Sequence, residues 1–176
     1  CSVDIVKILY HHRTATRSGE SIHIEELTAA FRRLGHEVIV IAPQTAPAPV
    51  FGASSGIVAL MKRLLPRFFY ELLEFSYSFL VFFRLFAAWR QHRPDFLYER
   101  YNLLCPAGVW LRQFVGLPML LEVNSPLFEE RCKYGGISLR SLASWSERAA
   151  WRGASRVLPV THVLASIVRR AGVPDE

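Results

Sequence analysis

The chain has 176 residues, 51% of them hydrophobic and 12% aromatic, enough for one domain with a sizeable core and too apolar for global disorder. Its formal net charge is +6, but no nucleic-acid reader motif accompanies the charge, so nucleic acid is not an expected partner. Three scattered cysteines, Cys1, Cys105 and Cys132, form no CxxC pair and no metal spacing; they suit buried free thiols in a reducing compartment, with no metal expected.

Val6 to Tyr10 reads as a first strand, short and apolar as a buried parallel strand should be. A polar loop from His11 to Ser18 and then Gly19 lead to a helix from about Ser21 to Leu34, with Ile24, Leu27, Phe31 and Leu34 at helical spacing. Gly35 is placed to end it, and Glu37 to Ala42 is the second strand. Gln44 to Gly56 is an Ala-, Pro-, Gly- and Ser-rich loop. Ile57 to Gln91 reads as helical, with Pro66 a break or kink. Asp95 to Arg100 is the third strand, Pro106 to Val115 a helix, and Pro118 to Val123 the fourth strand. A loop from Asn124 to Gly136 leads to a helix around Leu139 to Trp151. Arg156 to Val160 is a fifth strand and Val163 to Ala171 a last helix, with Thr161 as its N-cap. Strands alternating with helices predict an α/β fold, a Rossmann-like parallel sheet with helices on both faces.

Charge is unevenly placed. Residues 57–93 hold Lys62, Arg63, Arg67, Arg84, Arg90 and Arg93 against Glu71 and Glu74, four of the six excess positive charges. The same stretch is the most apolar, which suggests a flank that meets anionic lipid; core packing of an amphipathic helix on the sheet is the plainer alternative. A spanning helix needs ~20 nearly uncharged residues, and Glu71, Glu74 and Arg84 interrupt this run. No signal peptide is read at the start. The open start at Cys1 and open finish at Glu176 suggest a piece of a longer protein.

Ligands of open parallel sheets bind outside the carboxyl ends of the strands. That rule selects the loop His11 to Gly19, then Glu99-Arg100-Tyr101, then Glu122 to Ser125, then Thr161-His162. Adjacent His11 and His12 face opposite ways on a strand and do not readily chelate one metal. Gly19 precedes a helix N-terminus, a natural phosphate seat, although the GxGxxG fingerprint is absent. His23 begins a stretch superficially like a zincin helix, but Leu27 stands where a second ligand is needed. His23 then either points to the cleft or serves a surface role. Glu99 and Glu122 end neighbouring strands and form either an acid/base pair or carboxylates paired to arginine, with Arg100 and Arg131 as partners.

Ser18 to Leu27, running on to Leu34-Gly35-His36-Glu37-Val38, resembles the opening of family 4 glycosyltransferases. Asp95 to Tyr101 is similar to that family's "D-hydrophobic-hydrophobic-Y-E-R-Y" strand. Leu121 to Leu127, with Glu129-Glu130-Arg131, resembles a subgroup's "E-V-N-x-P-L…E" loop, and Ala154 to Thr161, then Gly172-Val173-Pro174, the approach to the interdomain hinge. The resemblance covers nearly the whole chain. Where many members carry a histidine after the fourth strand, this chain has Asn124.

The resemblance implies the N-terminal, acceptor-side half of a two-Rossmann GT-B enzyme. Such an enzyme transfers a sugar from a UDP- or GDP-linked nucleotide-sugar, with retained anomeric configuration, to a lipid-linked or polysaccharide acceptor. It implies a C-terminal donor-binding domain in the same full-length chain, so residues 1–176 alone are expected to be inactive. The nucleotide-sugar is a substrate, and no cofactor is implied. Gly19 would approach the donor phosphates; His23, Glu99, Arg100, Glu122 and Asn124 would line the cleft, Glu99 and Glu122 orienting acceptor hydroxyls. Lys62, Arg63, Arg67 and Arg84 would hold the flank against anionic lipid, giving a cytoplasmic, peripheral location at the inner face of the plasma membrane. Bacterial polysaccharide or glycoconjugate biosynthesis is the implied setting.

Two rival readings are a non-catalytic Rossmann-like ligand-binding module and a membrane-associated scaffold. A response regulator needs acidic residues at the end of the first strand, where this chain has His11, His12 and Arg13.

Overall fold

The structure, a computed structural model, describes residues 4–14, 19–43 and 66–174. Five strands, β1 (Lys7–His11), β2 (Glu37–Ile41), β3 (Phe96–Arg100), β4 (Met119–Val123) and β5 (Arg156–Pro159), form one sheet in the order β2-β1-β3-β4-β5. Every pairing is parallel. The helices are α1 (Gly19–Arg33), α2 (Arg67–His92), α3 (Ala107–Val115), α4 (Leu127–Glu130), α5 (Arg140–Gly153) and α6 (His162–Arg170). This is the Rossmann-like α/β layer that the alternation of elements predicts.

Side-chain alternation along the strands sorts two faces. Ile8 and Tyr10 of β1 and Tyr98 of β3 pack with Ile24 of α1 on one face. Leu9, Leu97 and Leu121 turn the other way, into a larger core with Val81 and Leu85 of α2, Leu111 of α3, Trp151 of α5 and Val168 of α6. Crossovers of one hand put α1 and α2 on opposite faces of β1.

Most ends lie within two residues of the sequence reading. Gly35 takes φ +89° beyond α1, a conformation cheap only without a Cβ. Arg93 does the same work at the end of α2 with φ 51°, its N–H donating to the Trp89 carbonyl at 2.9 Å. Thr161 caps α6, its Oγ1 accepting from Leu164 N at 3.2 Å. Pro66 stands immediately before α2, where a missing N–H and fixed φ suit a helix start; residues 57–65 lie outside the described residues. The expected loop after β4 is instead α4 followed by a π-helical turn, Arg131–Gly135. Cys105 is buried and Cys132 half-buried, both free.

By length and composition α2 is long and apolar enough to cross a membrane. Three of its polar residues, Glu71, Glu74 and Ser78, however, turn inward to protein partners. The Glu71 carboxylate accepts from the backbone N–H groups of Ser138 (2.8 Å) and Leu139 (2.6 Å), fixing the entry to α5. Glu74 is held by Nη1 and Nη2 of Arg131, at 2.8 and 2.7 Å. Ser78 Oγ donates to the Leu104 carbonyl at 2.8 Å. These carboxylates set α2 against the domain.

Candidate functional site

The carboxyl ends of β1, β3 and β4 bring His12, Arg13, Arg100, Asn102, Glu122 and Asn124 to one edge of the sheet. Register places Arg100 beside Glu122 and Tyr98 beside Leu120, so Tyr98, Arg100 and Glu122 share the α1 face. Glu122 is 3% exposed and is the centre of the group. Its Oε2 accepts from the Tyr98 hydroxyl at 2.8 Å. Its Oε1 accepts from Asn124 Nδ2 at 3.0 Å and Arg100 Nη1 at 3.4 Å. His23, on the second turn of α1, brings Nε2 to 3.5 Å of the same oxygen while remaining half exposed. A carboxylate with this many donors is a fixed acceptor that aims its partners.

Burial, and then the hydrogen bond to Glu122, hold the Tyr98 hydroxyl well above its ordinary range, so it stays protonated and donating. Tyr10, stacked on Tyr98 at 5.2 Å, is pushed up to about 12 by burial and then by the Glu122 charge. Among the described residues its buried hydroxyl has no hydrogen-bond partner. Burial, with the neighbouring His11 and Arg100 charges, lowers the His12 pKa to about 4. The imidazole is therefore neutral near pH 7.

Beside this group lies a cavity of about 300 Å³ lined by Arg13, Arg100, Asn102, Asn124, Ser125 and Arg131, among others. Arginine and amide donors of this kind suit hydroxyl and anionic groups.

Of the residues expected in a cleft, His23, Arg100, Glu122 and Asn124 come together. Glu99 does not join them. It leaves β3 on the opposite face, where His11 Nδ1 lies 3.0 Å from its Oε2 and both side chains are 3% exposed. An acid/base pair of Glu99 with Glu122 is thereby ruled out by strand parity. Of the two arginines expected to pair with these strand-end carboxylates, Arg100 does so with Glu122; Arg131 instead pairs with Glu74 of α2, and Glu99 takes His11 as its partner. Gly19 is the first residue of α1. In the basic flank, Lys62 and Arg63 lie outside the described residues. Arg67 is exposed, and Arg84 Nη2 donates to the Ala42 carbonyl at 2.9 Å, tying α2 to the end of β2.

Tyr98, Tyr10 and His12 are the members the sequence reading missed. Alternation counted back from Glu122 through its register partner would have found Tyr98; the position of His12, just past β1, depends on the chain's turn there.

A parallel Rossmann-like layer with a polar group at the carboxyl edge is the α/β architecture in which ligands bind outside the strand ends. Residues 18–176 match the glycosyl transferase 4-like domain, and the chain belongs to that family: it is a glycosyltransferase-family domain, as the resemblance of its four segments implies. No curated protein matches the chain.

Proposed function

We propose that this domain is the acceptor-side half of a retaining glycosyltransferase that moves a sugar from a UDP- or GDP-linked donor to a lipid-linked or polysaccharide acceptor. The observation that carries this reading is the Glu122 group, where one buried carboxylate aims Arg100, Asn124 and His23 toward the carboxyl edge. A sugar hydroxyl needs donors and acceptors held in fixed directions, and preorganised groups of this kind serve positioning. Glu122 is already saturated with donors, which favours orientation over proton abstraction. The N-terminus of α1, beginning at Gly19, has the polarity to receive donor phosphates. A second Rossmann half of the same protein supplies the rest of the donor site, and the helical flank keeps the domain at the inner face of the plasma membrane, where a polyprenol-linked acceptor is found.

The test is transfer from radiolabelled UDP- and GDP-sugars to a polyprenol-diphosphate-linked sugar by the full-length protein carrying this domain. Product with the donor's anomeric configuration, formed more slowly by Glu122→Gln, supports the proposal. Inverted product rejects the retaining mechanism. Sugar binding without transfer in the two-domain protein favours the non-catalytic module.

A further inference from the structure

Far from the strand ends, the outer surface of the α2, α3 and α5 layer is unusually aromatic. Phe83 is 65% exposed, Phe114 70% and Trp145 50%. They are not isolated rings. Phe79 lies 5.1 Å from Trp110, Phe75 touches both Trp110 (6.0 Å) and Trp145 (6.2 Å), and Phe82 and Phe86 both meet Phe114. One aromatic surface therefore runs across three helices, and contiguous exposed apolar surface of this extent marks an interaction site.

Alongside it, between α3 and α5, runs an open groove of about 910 Å³. Trp110 and Trp145 line it together with Arg140, Arg148 and Arg152, and among the described residues no carboxylate lines it. Arg148 and Arg152 are one helical turn apart on α5, so they share a face with Ser144 and Trp145. Arg152 Nε donates to the Ala171 carbonyl at 2.6 Å, which anchors its guanidinium at the groove end. Among the described residues, Arg140 and Arg148 enter no salt bridge. Indole rings and arginines bordering bare aromatic surface are the combination that seats a protein at a lipid headgroup layer.

We propose that this groove holds the phosphate of an anionic phospholipid while the neighbouring aromatic surface of α2 and α3 enters the outer acyl region of the bilayer. The inference deepens the membrane-facing part of the proposed function and rests on it. It adds lipid-binding charge on α5 to that of α2, where Arg84 is committed to the Ala42 carbonyl. Charge complementarity selects the occupant, because guanidinium groups match a phosphodiester, and a neutral apolar partner would cover Arg140 and Arg148, neither of which makes a salt bridge among the described residues.

Co-sedimentation of the 176-residue chain with phosphatidylcholine vesicles, alone or with phosphatidylglycerol added, tests it. The expected result is strong binding only with phosphatidylglycerol, weakened by salt. Arg140→Gln with Arg148→Gln should weaken it roughly 25-fold, about fivefold per arginine near an anionic surface. Phe83→Ser with Phe114→Ser should weaken binding to both vesicle types, and circular dichroism checks that each variant is folded. Equal binding to neutral and anionic vesicles, or no loss in the arginine variant, rejects the phosphate seat while leaving membrane docking in place. Failure of the unaltered chain to bind any vesicle removes both. Saturation by glycerol phosphate without vesicle binding assigns the groove to a soluble anion and overturns the proposal. Transfer to a soluble acceptor should be untouched by the arginine substitutions, which separates this site from the Glu122 group.

Discussion

His11 and Glu99 are register partners on β1 and β3, and their side chains meet with Nδ1 3.0 Å from Oε2 on the face of the sheet away from Glu122. The pair is packed beneath α3. A Cβ built at Gly108 would run into the Glu99 carboxylate and come within 3.0 Å of Met119 Cε. Helix propensity favours alanine over glycine by ~1 kcal/mol, yet Gly108→Ala is expected to lower stability by roughly 1–3 kcal/mol because the core must open to admit a methyl group. Urea unfolding measures this; a stabilised variant would mean that Glu99 is free to move aside. Glu99→Gln should cost about 1–2 kcal/mol with transfer per folded molecule unchanged.

Glu122 stands differently, because its partners include residues at the cleft. Glu122→Gln keeps the shape and the bond from Tyr98 but loses the charge that aims Arg100. Transfer by the full-length protein, counted per folded molecule, should fall roughly 10- to 100-fold, as for lost positioning of reacting groups, and the unfolding midpoint should drop as well, because a buried ion pair is broken. Arg100→Lys should behave similarly, since an ammonium lacks the planar fork. Full activity in both variants would remove the group from the mechanism.

The sheet was legible because each strand is an apolar run bounded by Gly, Pro or charge, and parallel strands buried on both faces have that pattern. Which carboxylate faces the cleft was less so. Glu99 and Glu122 look equivalent as strand-end acids, and only register, Arg100 beside Glu122, gives them opposite faces. The segment after β4 was hidden for another reason: α4 has only four residues, too few for a period, and Phe128 N is held from outside by Glu147 Oε2 at 3.1 Å. Likewise, Glu71 and Glu74 interrupt the apolar composition of α2, but nothing local tells that their partners, Leu139 and Arg131, lie more than fifty residues away.

Those two carboxylates make a test of how α2 is held. Arg131→Ala leaves Glu74 largely buried and uncompensated, with an expected loss of roughly 2–4 kcal/mol; the lower part of that range applies because the Arg131 side chain is 37% exposed. Replacing both, Glu74→Met with Arg131→Leu, should recover much of the loss, since an apolar pair needs no counter-charge. Thermal melts of the single and double variants form the cycle. A double variant no better than Arg131→Ala would show that the π-helical turn needs the arginine for its own sake.

His12 gives the domain a distinctive acid sensitivity. Its pKa is lowered from 6.5 to about 4 in the folded chain, so between those values the unfolded chain binds the extra proton and folding releases it. The associated stability is therefore fully present above about pH 6.5 and is lost as pH falls toward 4. With partial solvent exposure screening the effect, its size is roughly 1–3 kcal/mol. Carboxylates titrate at the lower end of the same window, so the informative quantity is a difference: stability against pH for the unaltered chain minus that for His12→Asn. The variant should show a flatter profile between pH 6.5 and 5, where most carboxylates are already ionised. Parallel profiles over that interval would place the His12 ring in water in both states and undo the assignment of a neutral, half-buried imidazole beside Arg100.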